Sequence, residues 1–242
     1  MTSYVFEPAA IPTVAVAGQT ARFPVRRIFC VGRNYAAHAR EMGKDPEREP
    51  PFFFTKPADT VVDDGATVPY PPETESFHYE IELVVAIGRD GFNISRDDAL
   101  DLVFGYAVGI DLTRRDLQLE ARDKGRPWDW GKAFDHSAPI APLHPVERAG
   151  HPAQGRIWLT VNEVVKQDAD LAELIWPVAD IIATISQSMQ LKAGDLIMTG
   201  TPAGVGAIDI GDTVKGGIDG LGTIQIRIGE NGPKSLDAKA AR

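Results

Sequence analysis

Three acidic residues have the types and spacing of metal ligands. Glu80 and Glu82 lie two positions apart in HYEIELVVAI, a segment that alternates and then becomes continuously apolar, as a buried strand does. In a strand such residues point to one side, so their carboxylates, with His78, would share a face about 6.6 Å apart. Their repulsion would cost roughly 2.5 kcal/mol at an effective dielectric near 20, which a cation between them would remove. The alternative is an edge strand on which both side chains face water.

The third acidic residue, Asp111, ends the apolar segment GYAVGI. It could cap the helix that follows, or it could face the same site as the two glutamates. Arg115, Gln118 and Arg122 follow it at helical spacing, so Arg115 and Gln118 would line the site if Asp111 faces it. Three carboxylates without a soft ligand favour a hard divalent cation, Mg²⁺ first, with Mn²⁺ or Ca²⁺ as alternatives.

A second group of residues could move protons or bind an anion. His38 and Glu41 are neighbours on a predicted helix, and a carboxylate beside an imidazole makes a general base for water, although both could be ordinary surface residues. Lys132, in WDWGKAF, could be a desolvated proton donor or could extend its ammonium group to solvent. The loop Gly200–Gly206 could present backbone N–H groups to an anionic substrate or be a plain turn, but it lacks a P-loop ending, which excludes nucleotide binding.

The pattern of short strands predicts the scaffold that must position these residues. Strand-like segments recur from Val25 to Ile228, and helices are predicted at 34–42, from Ser95 to about Phe104, over TRRDLQLEARD, and after Pro177. We expect an α+β, β-rich fold, a roll or sandwich with helices packed outside. A short N-terminal segment at 1–24 would be followed by a catalytic domain at 25–228 and then by a loose C-terminal tail at 229–242. The loop 43–51 would be either a closing lid or an ordinary surface loop.

Composition limits the class of protein. The chain of 242 residues is 43% hydrophobic and 24% charged, which excludes a disordered chain, and its net charge of −9 argues against nucleic-acid binding. No apolar run is long enough to span a bilayer and no signal peptide is recognisable, so we expect a cytoplasmic protein without a membrane partner. The single cysteine, Cys30, allows no intrachain disulfide and no thiolate metal cluster, and its apolar strand predicts a buried side chain.

Taken together, these segments resemble the fumarylacetoacetate hydrolase family. The resemblance runs from about Arg26 to Ile228 and is carried in order by VGRNYAAHAREMG, PFFFTKPADTVV, HYEIELVVAIG, GYAVGIDLTRRDLQ, GKAFDHSAPIAP and GDLIMTGTPAGVG. Several ordered motifs are far more specific than any single one. The resemblance implies the family's β-roll with a mixed sheet, and a homodimer.

The resemblance also implies roles for individual residues. Those that match the family are the metal-binding carboxylates Glu80, Glu82 and Asp111, the water-activating pair His38 and Glu41, and the substrate-contacting Lys132, Gln118 and Thr201. Arg33 or Arg115 could pair with a carboxylate of the substrate. The stretch Cys30–Gly32 lacks the additional Asp ligand of the larger members, which places the chain in the small acylpyruvase-like branch.

The implied activity is metal-dependent hydrolysis of a C–C bond in a small anionic oxo acid. The substrate would be a 2,4-diketo acid, in particular fumarylpyruvate, cleaved to fumarate and pyruvate during aromatic degradation. Two alternatives stay open. One is an oxaloacetate decarboxylase or decarboxylase/isomerase using the same site, since a fold does not fix a reaction. The other is a non-catalytic metal-binding protein.

Overall fold

A computed structural model describes residues 3–41 and 50–230, with residues 39–41 described for the main chain alone. The strands are β1 (Thr13–Ala15), β2 (Arg22–Pro24), β3 (Arg27–Gly32), β4 (Phe52–Lys56), β5 (Val61–Asp63), β6 (Thr67–Pro69), β7 (Phe77–Tyr79), β8 (Ile81–Ile87), β9 (Val103–Ile110), β10 (Thr113–Arg114), β11 (Ala138–Ile140), β12 (His144–Pro145), β13 (Arg156–Val161), β14 (Val164–Asp170), β15 (Asp195–Met198), β16 (Gly206–Ala207), β17 (Thr213–Ile218) and β18 (Gly222–Gly229). The helices are α1 (Ala36–Glu41), α2 (Arg115–Asp123), α3 (Asp129–Lys132), α4 (Val146–Ala149) and α5 (Val178–Ser188). Most of the predicted loop 43–51 and tail 229–242 lies outside the described residues.

The strands form two large sheets and two small ones. An eight-stranded sheet has the order β4-β3-β15-β8-β9-β11-β5 with β12 beside β9, and a five-stranded sheet has the order β14-β13-β17-β18-β6. Strands β3 and β15, β5 and β11, and β6 and β18 pair in parallel, whereas the other pairs are antiparallel. The mixed, strand-rich architecture confirms the predicted fold class.

The central strand β8 is buried on both faces, as its continuous apolar run predicts. On one face Leu83 and Val85 belong to the core that includes the five-stranded sheet and Ile181 of α5. On the other face Val84 packs in a second core, to which Phe23 of the β1–β2 hairpin also belongs. Every residue of β8 is therefore buried, and the strand gives the acidic residue at its start a rigid support.

Two predicted helices differ from the structure. Ser95 and Asp98 do bond to each other, with Ser95 Oγ 2.7 Å from Asp98 Oδ2, but only a 3₁₀ turn at Ala99–Leu102 follows. Strand β9 begins at Val103 because it pairs with β8 in the sheet core, which overrides the local helix signal. After Pro177, α5 buries Ile181, Ile182 and Ile185 as predicted, but Met189 caps the helix and is 47% exposed.

The sheet places four strand ends together. Strand β15 runs parallel to β3 and antiparallel to β8, which in turn runs antiparallel to β9. The ends of β3, β9 and β15 and the start of β8 therefore meet at one edge. Within the described residues, no helix is long and apolar enough to cross a membrane.

Candidate active site

The three predicted metal ligands lie together at this edge. Glu80, Glu82 and Asp111 are each at most 5% exposed, and one oxygen atom from each carboxylate lies within 4.8 Å of the other two. Strand pairing brings them together, because the Asp111 amide donates to Glu80 O at 2.8 Å. The prediction that Asp111 and Arg115 share one face of a helix is wrong, because α2 begins at Arg115 and its N-cap is Arg114, so Asp111 precedes the helix.

Cationic side chains compensate two of these carboxylates. The Lys132 ammonium donates to Glu80 Oε2 at 2.8 Å and to Asp111 Oδ2 at 2.7 Å, and Arg115 bonds to the other oxygen of Glu80. Lys56 Nζ lies 2.9 Å from Asp111 Oδ1, although its geometry there is not that of a hydrogen bond. Sequence reasoning missed Lys56, which is 1% exposed, because a single lysine in FFFTKP carries no spacing signal.

The third carboxylate has no such cation. Glu82 Oε2 accepts a hydrogen bond of 2.7 Å from the Gly200 amide, and no ion pair to Glu82 forms among the described residues. Burial, and then the charges of Asp111 and Glu80, raise the pKa of Glu82 well above its usual range. Burial alone would also raise the pKa of Glu80, but Lys132 and Arg115 lower it. The cluster thus retains one carboxyl group whose negative charge no cationic side chain pairs with among the described residues.

The donor set fits a hard divalent cation. All three ligand groups are carboxylates, the oxygen donors that Mg²⁺, Mn²⁺ and Ca²⁺ prefer. Asp111 Oδ1 is buried without a hydrogen bond from any described residue, so it retains acceptor capacity. Glu80, Glu82 and Asp111 are therefore the residues that would hold the ion.

His38 is buried and lines the same cleft, as its predicted role requires. Its helix α1 is held by Asn34, which donates from Nδ2 to Trp176 O at 3.0 Å and Thr199 O at 2.8 Å and accepts at Oδ1 from the Trp176 amide at 2.7 Å. Asn34 thereby ties α1 to the end of β15. The side chain of Glu41 lies outside the described part of the chain.

A narrow cleft with a cavity volume of about 20 Å³ opens beside Glu80 and Glu82. Predicted residues that line it are His38, Glu80, Glu82, Lys132, Arg33, Arg115, Gln118 and Thr201. His78 does not line it and bonds instead to Ser76 Oγ at 2.9 Å. Burial, and then the charge of Arg115, lowers the pKa of His78 to about 4, so its imidazole is neutral at pH 7.

The two arginines have different surroundings. The Arg115 guanidinium is committed to Glu80 and Gln118, so it orients these two side chains. Arg33 has φ of 60°, and its buried Nε has no hydrogen-bond partner among the described residues. Of the pair, Arg33 is the better placed to receive an anion.

Gln167, which sequence reasoning did not assign, and Gly200, whose loop was predicted either to present amides to a substrate or to be a plain turn, both support the site. Gln167 accepts from the Ile81 amide at 3.0 Å and donates to Thr201 Oγ1 at 2.8 Å, so it fixes the start of β8 against the Thr201 loop. Gly200 has φ of 96°, and a Cβ there would lie 2.7 Å from Asn34 Cβ. A larger residue would displace the amide that binds Glu82.

Comparison with known proteins agrees with this geometry. The family model of the fumarylacetoacetate hydrolase C-terminal domain matches residues 27–229. A fumarylpyruvate hydrolase of Ralstonia sp is 49% identical over 76% of this chain and 96% of its own length. An oxaloacetate tautomerase of Rattus norvegicus is 38% identical over 84% of this chain and 91% of its own length.

A solved structure matches nearly the whole chain. It is the fumarylpyruvate hydrolase of Pseudomonas aeruginosa in complex with Mn²⁺ and pyruvate, 51% identical, with a TM-score of 0.93 over 95% of this chain and all of its own. The match of residues 27–229 to the family model and the similarity of the strand-rich fold support the same family assignment. The chain belongs to the fumarylacetoacetate hydrolase family.

Proposed function

We propose that this protein is a metal-dependent hydrolase of acylpyruvates that cleaves fumarylpyruvate to fumarate and pyruvate. The observation that carries the proposal is the cluster of three buried carboxylates beside a cleft that His38 and Lys132 line. The similarity to fumarylpyruvate hydrolases, at 49% and 51% identity, supports this substrate within the family.

A divalent cation held by Glu80, Glu82 and Asp111 belongs to the proposal, with Mg²⁺ as the natural ion. The Mn²⁺ in the related structure supports a divalent ion of this kind. The chemistry that the bound cation supplies is Lewis acidity toward the carboxylate and 2-oxo oxygens of the substrate and toward the charge that develops on them.

The side chains of the cleft would do the proton chemistry. His38, oriented by Glu41, takes a proton from water at a ring nitrogen, and the water oxygen adds to the C-4 carbonyl. The C-3–C-4 bond then breaks, C-4 leaves in the new carboxylate, and the electron pair passes to the pyruvate fragment, which takes up a proton at C-3. Lys132 is charged, because Asp111 and Glu80 outweigh burial and raise its pKa, so it stabilises the anionic fragment.

Polar residues around this centre would hold the substrate. Arg33 pairs with the substrate's C-1 carboxylate, while Gln118 and Thr201 donate hydrogen bonds to its oxygens. Arg115 acts through Glu80 and Gln118, to which it is already bonded.

Oxaloacetate chemistry is the second candidate, because a relative at 38% identity is an oxaloacetate tautomerase. The assay that separates the candidates uses purified protein with fumarylpyruvate, acetylpyruvate and oxaloacetate, with and without Mg²⁺ or Mn²⁺. We expect metal-dependent loss of both acylpyruvates and formation of pyruvate. Turnover of oxaloacetate alone would replace the proposed reaction, and metal binding without any turnover would support a non-catalytic protein. Light scattering of the same sample tests the predicted homodimer.

His38→Ala tests the proposed base. We expect kcat to fall by about 10²–10⁴-fold, because water loses its proton acceptor. The thermal shift produced by Mg²⁺ should persist, since His38 is not among the three ligands. Hydrolysis by the variant at the wild-type rate would disprove the assignment of His38.

A further inference from the structure

A second pocket adjoins the cleft. The two share Phe54, Trp128 and Lys132 in their walls, so they lie next to each other. The second pocket is much the larger, with a cavity volume of about 330 Å³ against about 20 Å³ in the cleft. The pocket is therefore large enough for a short acyl chain and lies beside the cleft.

The walls of this pocket are aromatic. The Phe52 and Trp128 rings meet edge to face with centroids 4.8 Å apart, and Phe54 lies 5.7 Å from Trp128. Phe52 is 39% exposed, although it belongs to a sheet strand. Partly exposed ring faces offer a flat apolar surface for a planar, unsaturated chain.

An arginine lies in the wall of this pocket. The Arg126 amide is fixed by a 2.8 Å bond to Ala121 O at the end of α2, and its side chain is exposed. Among the described residues its guanidinium forms no ion pair, unlike Arg122, which pairs with Asp123 at 2.9 Å. Asp129 also lines the pocket and opposes an anion there.

We propose that this pocket is an acyl-side subsite for a planar chain that ends in a carboxylate, with Arg126 as a residue that determines specificity. The inference deepens the proposed function and rests on it. A guanidinium group binds a carboxylate through paired N–H donors, which a substrate such as acetylpyruvate cannot use. The subsite thus selects diketo acids that carry a second, distal carboxylate.

The test compares fumarylpyruvate with acetylpyruvate. In Arg126→Leu we expect the ratio of their kcat/KM values to fall about 10-fold, through KM for fumarylpyruvate, because a charge-assisted hydrogen bond is lost. In Asp129→Asn the ratio should rise, since an opposing charge is removed. Arg122→Leu is the matched control and should leave the ratio unchanged. An unchanged ratio in Arg126→Leu, or an equal fall in Arg122→Leu, would overturn the subsite.

Fumarate binding separates this failure from failure of the proposed function. Calorimetry with fumarate and the Mg²⁺-loaded protein needs no turnover, so it is informative even if no acylpyruvate is hydrolysed. We expect Arg126→Leu to weaken fumarate binding about 10-fold relative to wild type. Equal affinity in the two proteins would overturn the subsite, whatever the protein hydrolyses.

Discussion

Buried carboxylates lie at opposite ends of the strands of the eight-stranded sheet. The two groups differ in how cations and hydrogen bonds compensate their negative charge. Where β3 and β15 begin, Asp195 is fully buried and accepts from Arg26 at 2.9 Å, from Arg27 at 3.2 Å and from the Lys192 amide at 2.9 Å. Where the same strands end, three carboxylates share one space, and in the described part of the chain only the Gly200 amide bonds to Glu82. Asp195 therefore has two cationic partners, whereas Glu82 has none among the described residues.

The contrast separates a structural ion pair from a site kept ready for a ligand. A buried carboxylate is costly unless cations and hydrogen bonds satisfy it, as they satisfy Asp195. In the cluster of Glu80, Glu82 and Asp111, the Glu82 carboxyl group lacks a cation in the protein alone, and a divalent cation would supply one. Strongly perturbed groups of this kind are typical of functional sites.

The largest expected effect is that of Glu82→Gln on activity. We expect kcat/KM for fumarylpyruvate to fall by at least about 1000-fold, because one of three ligands to the cation is lost and with it several kcal/mol of transition-state stabilisation. Titration with Mg²⁺ should show weakened binding. Asp195→Asn is the control at the opposite edge and should keep its activity. Full metal affinity in Glu82→Gln would refute the ligand assignment.

Asp195→Asn should instead lower stability. We expect the free energy of unfolding to fall by about 2–3 kcal/mol, because two arginines lose their buried anionic partner. The loss should be below that of a fully buried pair, since the side chains of Arg26 and Arg27 are 43% and 28% exposed. Urea denaturation measures the change. A free energy of unfolding equal to that of wild type would show that Asp195 does not stabilise the fold.

The smallest expected effect is a gain in stability, opposite in sign to the loss expected for Asp195→Asn. In metal-free protein, Glu82→Gln should raise the free energy of unfolding by about 1–2 kcal/mol, because a buried acid beside Asp111 and Glu80 must either bear their repulsion or take up a proton, and Gln does neither while it keeps the Gly200 bond in weaker form. Mg²⁺ should then stabilise wild type but not the variant. Urea denaturation with EDTA and with Mg²⁺ tests both points. A less stable metal-free variant would show that Glu82 is compensated after all.

Local sequence patterns were enough to predict much of the site. The two-residue spacing of Glu80 and Glu82 in an apolar strand, and the length of helix α2, are properties of neighbouring residues, so they could be predicted. The helix expected after Ser95 was wrong, since strand pairing of β9 with β8 outweighed a local cap. Sequence patterns could not predict that three further residues support the site, because their hydrogen-bond partners are distant in sequence. The separations are 56 residues for Lys56, 142 for Asn34 and 86 for Gln167.

The sequence by itself determined the chemical types of the site: hard oxygen donors, a histidine and a lysine, in ordered motifs that identify a family. Only the tertiary structure decided how these groups are compensated. It brings Lys132 to two carboxylates, commits Arg115 to Glu80 and leaves Glu82 to a backbone amide. The physical reason is that charge compensation depends on distance and burial, which are set by the pairing of strands far apart in the chain.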